Sequence, residues 1–528
     1  MGKKGKRSKP KPKVERTLRL SSGRRIRAER AVVAAVLLVS MILCIFVFDP
    51  KMSISGDNAE FIILAKSIVT GYGMKYINSP NPTPSTKYPF GFPLLLALIE
   101  FISPGNYIAM KVMVVLFFLS SLPVVYLLAK RHVGVLPAFA IMLFSGISPH
   151  LLDFSHQIMS EIPYLFFSLL ALFLFERAQP LPRIFTSRWL ISTLLILMFS
   201  YYVRSVGISL ILGAVAFFLL RKDYKKALFV MVAAIALALP WYLRNTYLGG
   251  NSYLRQLVLI NPYHPDLGRM GVGDLIDRIK TNLNIYLMRE IPRVILPTYY
   301  NIISALKLLK TMWLVAIPLI GIILYGLISS LLERKSVVPI YLLFFFGICL
   351  LWPSVWSYLR FIVPVIPLLL LFFFQGLTLL FRRLKVPPVA LFSILSVLII
   401  ILLSSNISGI LTLKKRTADY PPNWKNYFVA AEWIRRNTAP DSIISCRKKL
   451  LMYLTSHRKT VGYAFSEDPD LVVGRMERDG VDYVVVEQLG FGSTPRYLIP
   501  AIRTHLDRFK VVFFVDDPPT YVLKFIRS

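Results

Sequence analysis

Long apolar runs recur along this chain of 528 residues, and they constrain its fold more than any other feature. The first run, AVVAAVLLVSMILCIFVF at 31–48, is about long enough to cross a bilayer at 1.5 Å per residue. Only 17% of the residues are charged, against about 25% in soluble domains. We therefore predict a polytopic α-helical membrane protein with about 11 transmembrane helices. The ten further runs lie at about 108–129, 133–152, 162–176, 189–203, 205–220, 227–243, 312–332, 337–353, 361–381 and 388–411.

The basic residues of the chain, which carries a formal net charge of +34, indicate its orientation. Residues 1–30 hold 13 Lys/Arg and 2 Glu without apolar periodicity, the composition of a disordered basic arm. Such an arm either binds RNA or lies on anionic lipid headgroups, and the apolar run that begins at Ala31 favours the lipid surface. If the helices alternate, the basic segments between them fall on the same side as this arm. We therefore predict a cytoplasmic N-terminus, an extracytoplasmic C-terminus and no nucleic-acid partner. These segments are Lys130-Arg131, Arg177 to Arg188, 221–226, 333–335 and 382–385.

Two apolar segments could change this alternation. The stretch from Phe90 to Ile102 is too short to span a bilayer, and we predict a re-entrant or interfacial piece. The stretch 189–220 has basic residues at both ends, so it must be a hairpin of two short helices with Arg204 at its outer tip.

Composition divides the chain into three parts: a basic cytoplasmic arm (1–30), a multi-pass membrane domain (31–412) and an extracytoplasmic α/β domain (413–528). The membrane domain has outer loops at 49–107 and 244–311. The tail contains no GxGxxG motif and no P-loop, so no nucleotide cofactor is expected. The cysteines are scattered and indicate neither a disulfide framework nor a zinc site. Helix-like tail segments lie at 424–437, 469–479 and 495–509, and strand-like ones at 442–446, 481–487 and on both sides of Asp517-Pro518-Pro519.

Two carboxylates in different outer loops are the candidate catalytic residues. Asp57 precedes an amphipathic helix predicted at 58–70 in the membrane interface. It either caps that helix, with Glu60 completing a capping box, or offers an oxygen to a substrate. Glu161 begins the fourth helix, where the helix dipole alone would favour a negative charge. Together the two carboxylates could hold a divalent metal, or one could act as a general base. Glu60 and His156 are weaker candidates for this site.

Four cations belong to the same predicted face of the membrane. Lys87, Arg204 and Arg360 are flanked by apolar and aromatic residues, which fits a phosphate held at the lipid boundary. Arg244 is a weaker candidate, because an arginine is also common without a catalytic role at the water-exposed edge of a membrane domain.

An ordered set of short motifs resembles the membrane glycosyltransferases of the GT-C fold. The set comprises GDNAEFIILAKSI after the first helix, Lys-x-Pro-x-Gly-x-Pro (87–93), MSE before the fourth helix, RSVG at the hairpin, PWYLRN (240–245) and R-F-x-x-P-x-x-P (360–367). It is most similar to the protein O-mannosyltransferase and lipid A aminoarabinose transferase group, the glycosyltransferase family 39 or 83 type. The tail segments AAEWIRRNTAPDSIISCRKK and GVDYVVVEQL extend the resemblance to most of the chain.

The resemblance implies transfer of one sugar from a polyprenyl-phosphate donor to an acceptor hydroxyl outside the inner membrane, with inversion. It implies that Asp57 and Glu161 are the catalytic acidic residues and that Lys87 binds the donor phosphate, with Arg204 and Arg360 neutralising it. Metal dependence stays open, because the family contains both situations. The sequence departs from the family at Asn58, where a glutamate often stands, and at Tyr88-Pro89-Phe90.

Two other functions compete with this interpretation. A transporter or lipid flippase would also place charges in a helix bundle, but it usually has internal repeats and charges near the midplane, which this chain lacks. A noncatalytic scaffold would leave Asp57, Glu161 and Lys87 without a shared task. The sequence identifies neither the sugar nor the acceptor, which could be a protein, a lipid or a surface polymer.

Overall fold

The chain folds into a helical membrane domain followed by a tail with a β-sheet. The computed structural model describes residues 13–54, 57–178, 188–250, 252–264, 267–356, 359–417 and 419–527. Two predicted features lie partly outside the described residues: the first twelve residues of the basic arm, and residues 179–187 of the basic segment from Arg177 to Arg188. The helices of the membrane domain are α1 (Lys13–Val47), α2 (Asn58–Val69), α3 (Gly91–Ile102), α4 (Tyr107–Val133), α5 (Val135–Gly146), α6 (Pro149–Ser155), α7 (Glu161–Ala178), α8 (Arg188–Val203), α9 (Ile208–Leu220), α10 (Tyr224–Tyr247), α11 (Ser252–Leu257), α12 (Val272–Ile285), α13 (Ile291–Ile295), α14 (Tyr299–Ala305), α15 (Trp313–Glu333), α16 (Val338–Leu351), α17 (Ile366–Arg383) and α18 (Pro388–Arg416).

In the described residues six helices are long and apolar enough to cross a membrane, and a seventh span forms if α5 and α6 count as one. This is a multi-pass membrane protein. Four further apolar helices, α3, α8, α9 and α16, have 10–17 residues. Each predicted apolar run is helical at least in part, but the count of about 11 spans stays a prediction because several of these helices are short.

Two of the predicted spans are broken by proline. The run 133–152 is not one helix, because α5 and α6 meet at an angle of 53°. Pro149 begins α6 and holds the preceding residue, Ser148, in an extended conformation (φ −62°, ψ 118°). The run 361–381 becomes a regular α-helix only at Ile366, after short 3₁₀ turns that contain Pro364.

The basic arm differs from the sequence expectation, because α1 begins at Lys13 rather than near Ala31. Lys, Arg, Glu and Leu are good helix formers. Once the apolar run has nucleated the helix, adding a residue to its end costs little. Residues 13–30 are therefore helical although they lack an apolar face of their own.

Charged residues mark one end of the bundle. Glu29 of α1 forms an ion pair with Lys130 at the end of α4. On the same end, Glu176 of α7 contacts Arg131 and accepts a hydrogen bond from the Ser336 hydroxyl at 2.6 Å. The loops that carry the candidate site residues gather at the opposite end, which we call the site end.

The predicted hairpin at 189–220 breaks at Arg204, as expected from the sequence. A single 3₁₀ turn at Ser205–Gly207 separates α8 from α9. A Cβ on Gly207 would lie 2.6 Å from the Cα of Tyr201, and one on Gly91 would lie 2.6 Å from the carbonyl carbon of Tyr202. The absence of a side chain at these two positions lets the backbones meet, which fixes the turn that carries Arg204.

Helix α2 is buried, so the prediction that it lies in the membrane interface is wrong. Its residues Phe61 to Ala65 are all buried. Helix α3 covers α2 on one side, and Ala59 packs in a core cluster with Trp424 and Tyr427 of the tail. The apolar periodicity predicts the helix correctly, but its apolar face packs in the core of the membrane domain, against residues such as Phe92 and Leu96 of α3, rather than on lipid.

The tail forms a mixed five-stranded sheet with helices packed against it. Its elements are α19 (Pro422–Asn437), β3 (Ile443–Ser445), α20 (Lys449–Ser456), β4 (Lys459–Val461), α21 (Pro469–Arg478), β5 (Tyr483–Val486), α22 (Ile499–Thr504), β6 (Phe509–Val515) and β7 (Thr520–Phe525). The strand order is β4-β3-β5-β7-β6. The strands β4, β3 and β5 are parallel, whereas β7 and β6 are antiparallel to their neighbours. In the membrane domain, strands β1 (Lys75–Tyr76) and β2 (Thr83–Pro84) form a small hairpin.

Candidate active site

Asp57 lies at the start of α2 and faces two cations. Its Oδ2 atom accepts a hydrogen bond from Nη2 of Arg360 at 3.0 Å, and its Oδ1 atom lies 3.6 Å from Nζ of Lys87. Asp57 makes no side-chain capping bond to the described part of α2. Because both carboxylate oxygens face cations, the interpretation of Asp57 as an ordinary helix cap is wrong.

Glu60 does not complete a capping box, because its carboxylate contacts other side chains. It accepts a hydrogen bond from the hydroxyl of Tyr76 at 3.0 Å and lies 3.4 Å from Nζ of Lys87. Lys87 therefore lies between two carboxylates, those of Asp57 and Glu60. Glu60 thus helps to hold the lysine rather than the backbone of the helix.

Glu161 is the first residue of α7, and its side chain is fully buried. Its Oε1 atom lies 2.8 Å from Nη1 of Arg204 and 3.5 Å from Nε of Arg360. The same Nη1 atom of Arg204 donates a hydrogen bond to the Ser160 hydroxyl at 2.9 Å. The Oε2 atom of Glu161 has no hydrogen-bond partner among the described residues. A buried carboxylate is costly unless it is paired, and here the two arginines compensate its charge.

Arg360 joins the two carboxylates into one cluster. It lies in a short 3₁₀ turn at Leu359–Phe361 between α16 and α17, where the prolines that follow delay the start of α17. Its guanidinium group contacts Asp57 through Nη2 and Glu161 through Nε. A planar guanidinium offers several N–H donors in a fixed fork, so different nitrogen atoms of one side chain can face the two carboxylates at once.

The cations of the cluster keep Asp57 ionised. Burial alone would raise the pKa of Asp57, but the charges of Lys87 and Arg360 outweigh this effect and lower the pKa to about 2. Burial likewise opposes the charge of Lys87, yet Asp57 and Glu60 hold its pKa above the ordinary value. At neutral pH Asp57 and Lys87 are therefore both charged.

A cavity of about 250 Å³, which we call the first cavity, opens in front of this cluster. Asp57, Lys87, Arg204 and Arg360 all line it. The ring of Tyr253, from α11, packs edge-on against Tyr88 and Trp356, with ring centroids 6.2 and 6.1 Å away. The first cavity thus combines cations at its base with an aromatic wall. The other aromatic residues of the wall are Phe61, Tyr263, Trp352 and Phe361.

Several residues of the site were not identified from the sequence as candidates. Tyr253 comes from the second loop, and burial raises its pKa to about 12, so the phenol stays protonated. Asn58, which departs from the family pattern, is buried and accepts a hydrogen bond from the backbone N–H of Ile158 at 2.7 Å. It thereby fixes the segment that leads into Glu161. The signal at Asn58 is its departure from the family pattern directly after Asp57, whereas Tyr253 carries no local signal.

None of the three weaker candidates, Glu60, Arg244 and His156, lines the first cavity. Arg244 donates hydrogen bonds to the carbonyl oxygens of Ser85 and Met74 at 3.0 and 3.2 Å, so it secures the β1–β2 hairpin. His156 is buried behind α6, 3.8 Å from Asp153.

The described residues do not fit a resident divalent metal between Asp57 and Glu161. Arg360 contacts both carboxylates, and a guanidinium cannot ligate a cation. Within the described part of the chain, no group of three or more His, Cys, Asp and Glu side chains could hold a metal ion. We therefore derive no step through a metal.

Solved structures of other membrane proteins have a fold similar to that of this chain. No protein-family model and no curated protein matches the chain. It resembles ArnT from Cupriavidus metallidurans, solved with undecaprenyl phosphate (TM-score 0.58, 13% identity, 94% of this chain and 98% of that one). It also resembles the archaeal oligosaccharyltransferase AglB from Archaeoglobus fulgidus, solved with an inhibitory peptide and a dolichol-phosphate (TM-score 0.56, 14% identity, 86% of this chain and 69% of that one).

A further structure of the Archaeoglobus fulgidus oligosaccharyltransferase, in complex with Zn and sulfate, matches with a TM-score of 0.55 and 13% identity over 92% of this chain and 72% of that one. These neighbours are GT-C glycosyltransferases, so the chain has the GT-C fold. At this identity the likeness establishes the fold and not the reaction.

Proposed function

We propose that this protein is a glycosyltransferase that moves one sugar from a polyprenyl-phosphate donor to an acceptor hydroxyl on the outer face of the cell membrane, with inversion. The observation that carries the proposal is that Lys87, Arg204 and Arg360 line one cavity together with Asp57, while Arg204 and Arg360 also pair with Glu161, which is buried outside the lining. The neighbours with bound undecaprenyl phosphate and dolichol-phosphate support a lipid-phosphate donor.

The phosphate that leaves in this reaction carries negative charge, which explains why cations are needed in the site. In the transfer, the acceptor oxygen forms a bond to the anomeric carbon while the bond from that carbon to the phosphate oxygen breaks. The electron pair stays on the phosphate, and Lys87 and Arg360 stabilise the added charge at low dielectric. Attack opposite to the leaving group inverts the anomeric configuration. The acceptor proton passes to a carboxylate oxygen of Asp57.

Donor binding makes Asp57 a better base. With a pKa of about 2, Asp57 alone accepts a proton poorly. A donor phosphate that attracts Lys87 and Arg360 weakens their hold on Asp57, which raises its proton affinity. Glu161, 2.8 Å from Arg204, keeps that arginine in place while the other cations respond to the phosphate.

The rival function is a transporter or lipid flippase without transferase activity. It would explain charges inside a bundle but not their pairing around two carboxylates at one end of the bundle. We also propose a topology for this protein in the inner membrane, based on the alternation of helices and basic segments in the sequence. It has a cytoplasmic arm (1–30), a membrane domain (31–412) and an extracytoplasmic tail (413–528).

A transfer assay on membranes tests the proposal. The donor is an undecaprenyl-phosphate-linked sugar, and transfer is followed by release of undecaprenyl phosphate and labelling of the acceptor. We expect Asp57→Asn and Glu161→Gln to abolish most of the transfer. Asp277→Asn, at an exposed carboxylate in the second loop, serves as the matched control. Full activity in both site variants contradicts the assignment, and movement of the lipid without any transferred sugar favours the rival.

A further inference from the structure

A second cavity lies beside the catalytic cluster and separates the β1–β2 hairpin from the tail. We call it the hairpin cavity, and its volume is about 500 Å³. This is within the range of about 300–1,000 Å³ that small-molecule sites occupy. One wall comes from the hairpin segment and the other from β4, α20 and α21 of the tail. The hairpin wall consists of Tyr76, Asn78, Ser79, Asn81 and Thr83, and the tail wall includes Lys449, Thr460, Gly462, Arg475 and Asp479.

The walls of this cavity are fixed to one another. The backbone N–H of Thr460 donates to the carbonyl oxygen of Asn78 at 2.7 Å, and Nζ of Lys459 donates to the carbonyl oxygen of Ile77 at 2.8 Å. The edge strand β4 of the tail is thus bonded to the loop that precedes Lys87. The tail therefore forms half of the cavity rather than lying apart from it.

The position at the end of β4 is typical of ligand sites. Strands β3, β4 and β5 are parallel, and Gly462 follows the carboxyl end of β4. In open α/β sheets, ligands bind outside the carboxyl ends of the parallel strands, at the point where the strand order reverses. The hairpin cavity lies at the carboxyl end of β4, the edge strand, so it meets the first of these two conditions.

Lys87 connects this cavity with the catalytic cluster, because it lines both the hairpin cavity and the first cavity. Glu60 also lines the hairpin cavity, and the Tyr76 hydroxyl and Lys87 hold it in the wall. Asp57 lies 3.6 Å beyond Nζ of Lys87. A molecule in the hairpin cavity is therefore one side chain away from the proposed general base.

The lining of the hairpin cavity favours a ligand rich in hydroxyl groups. In the described part of the chain, the side chains of Ser79, Asn81 and Thr83 make no hydrogen bond to another residue, so their donors and acceptors are available. Four of the five charged lining residues form two ion pairs, Glu60 with Lys87 and Arg475 with Asp479, so Lys449 is the one cation of this lining outside an ion pair with a described residue. Amide, hydroxyl and carboxylate groups match the mixed donor and acceptor pattern of a sugar. An anionic acceptor would require an excess of unpaired cations, and an acyl chain an apolar wall.

We propose that the hairpin cavity binds the acceptor and that this acceptor is a carbohydrate. The sugar lies between the hairpin and the tail, and one of its hydroxyl groups passes Lys87 to reach Asp57. The assignment of this molecule as the acceptor rests on the proposed function, whereas carbohydrate binding at this place does not.

Binding of neutral trisaccharides tests the proposal on the full chain. The protein is purified in a detergent without a sugar headgroup, and mannotriose, maltotriose and chitotriose are the probes in saturation-transfer NMR. We expect saturable binding of at least one probe, weakened about tenfold or more by the double substitution Asn81→Leu/Thr83→Val. Asn437→Leu, at an exposed asparagine of α19, is the matched control and leaves binding unchanged.

The outcomes separate this inference from the proposed function. If no probe binds saturably, or if the double variant binds as tightly as the parent, the carbohydrate site is overturned. The carbohydrate site is also overturned if no sugar binds and if a serine-rich peptide or anionic vesicles bind instead, with binding weakened by the same double substitution. Undecaprenyl phosphate binding is measured in parallel, and we expect the double variant to retain it. Failure of Asp57→Asn to reduce transfer overturns the function while the sugar measurement stands on its own.

Discussion

Arg360 donates a hydrogen bond of 3.0 Å to Asp57, although 303 residues separate them in the chain. The same guanidinium lies 3.5 Å from Glu161. A cation in this position neutralises both carboxylates before any substrate arrives. A donor phosphate must compete with these carboxylates for the arginine, and that competition links donor binding to the basicity of Asp57. Four predictions follow from this cluster and from the packing that supports it.

Substitution of Asp57 should affect the chemical step far more than donor binding. Asp57→Asn keeps an oxygen for Arg360 but cannot accept the proton, so we expect kcat to fall by about 10²–10⁴-fold. Because the neutral amide no longer competes with the phosphate for Lys87 and Arg360, titration of the variant with undecaprenyl phosphate should give a Kd equal to or lower than that of the parent. A kcat within a few-fold of the parent would remove Asp57 from the mechanism, and Asp277→Asn controls for loss of a carboxylate elsewhere.

Removal of Arg204 should destabilise the protein through Glu161. Glu161 is fully buried and lies 2.8 Å from Arg204, so Arg204→Leu leaves a buried carboxylate with a weaker partner. Breaking such a pair costs about 3–5 kcal/mol, and we expect a clear fall in Tm in detergent. The double variant Arg204→Leu/Glu161→Leu should recover most of this loss, because it removes the unpaired charge. Arg436→Leu breaks an exposed pair and should change Tm little, since solvent screens it. An unchanged Tm for Arg204→Leu would contradict the buried pair.

The pH dependence should differ between the free and the donor-bound protein. The pKa of Asp57 is lowered to about 2 in the folded protein, so its charge stabilises the fold above the unfolded pKa of about 3.9. That contribution is lost as the pH falls toward 2. Asp57 therefore stays ionised in the free protein from pH 7 down to about 4, and kcat/KM should show no acidic limb from it there.

Donor binding should shift the pH at which protonation of Asp57 slows the reaction to a higher value. Since kcat reports groups in the substrate complex, and the phosphate draws Lys87 and Arg360 away from Asp57, we expect the acidic limb of kcat at a higher pH than that of kcat/KM. Rate profiles between pH 4 and 8 with a short-chain polyprenyl-phosphate sugar give both quantities. If kcat, like kcat/KM, shows no acidic limb above pH 4, the phosphate does not draw these cations away from Asp57.

The turn that carries Arg204 should not tolerate a side chain at Gly207. A Cβ there would lie 2.6 Å from the Cα of Tyr201, so the backbone of α8 must move. We expect Gly207→Ala to cost about 1–3 kcal/mol and to lower transfer, because Arg204 shifts away from Glu161. Gly347→Ala in α16 is the matched control, since nothing lies within 4 Å of the added methyl group and the helix gains propensity. Equal Tm values for the two variants would contradict the close packing at the turn.

Local structure followed from local sequence with few exceptions. The apolar runs predicted helices, the basic ends of 189–220 predicted the break at Arg204, and the tail segments matched α19, α21, β3 and β5 within a few residues. Sequence missed β4 and α20, which are short and polar at their ends. It also took the periodicity of α2 for an interfacial helix, because a pattern identifies an apolar face but not the partner that covers it.

The sequence by itself determined that this is a basic, multi-pass helical protein, and it singled out Asp57, Glu161, Lys87, Arg204 and Arg360. Tertiary structure alone decided how these groups pair, with Arg360 between the two carboxylates and Glu60 beside Lys87. It also brought Tyr253 to the first cavity and the tail to the β1–β2 hairpin. The physical reason is distance along the chain. Helix propensity and hydrophobic periodicity act over a few residues, whereas an ion pair across hundreds of residues exists only once the helices have packed.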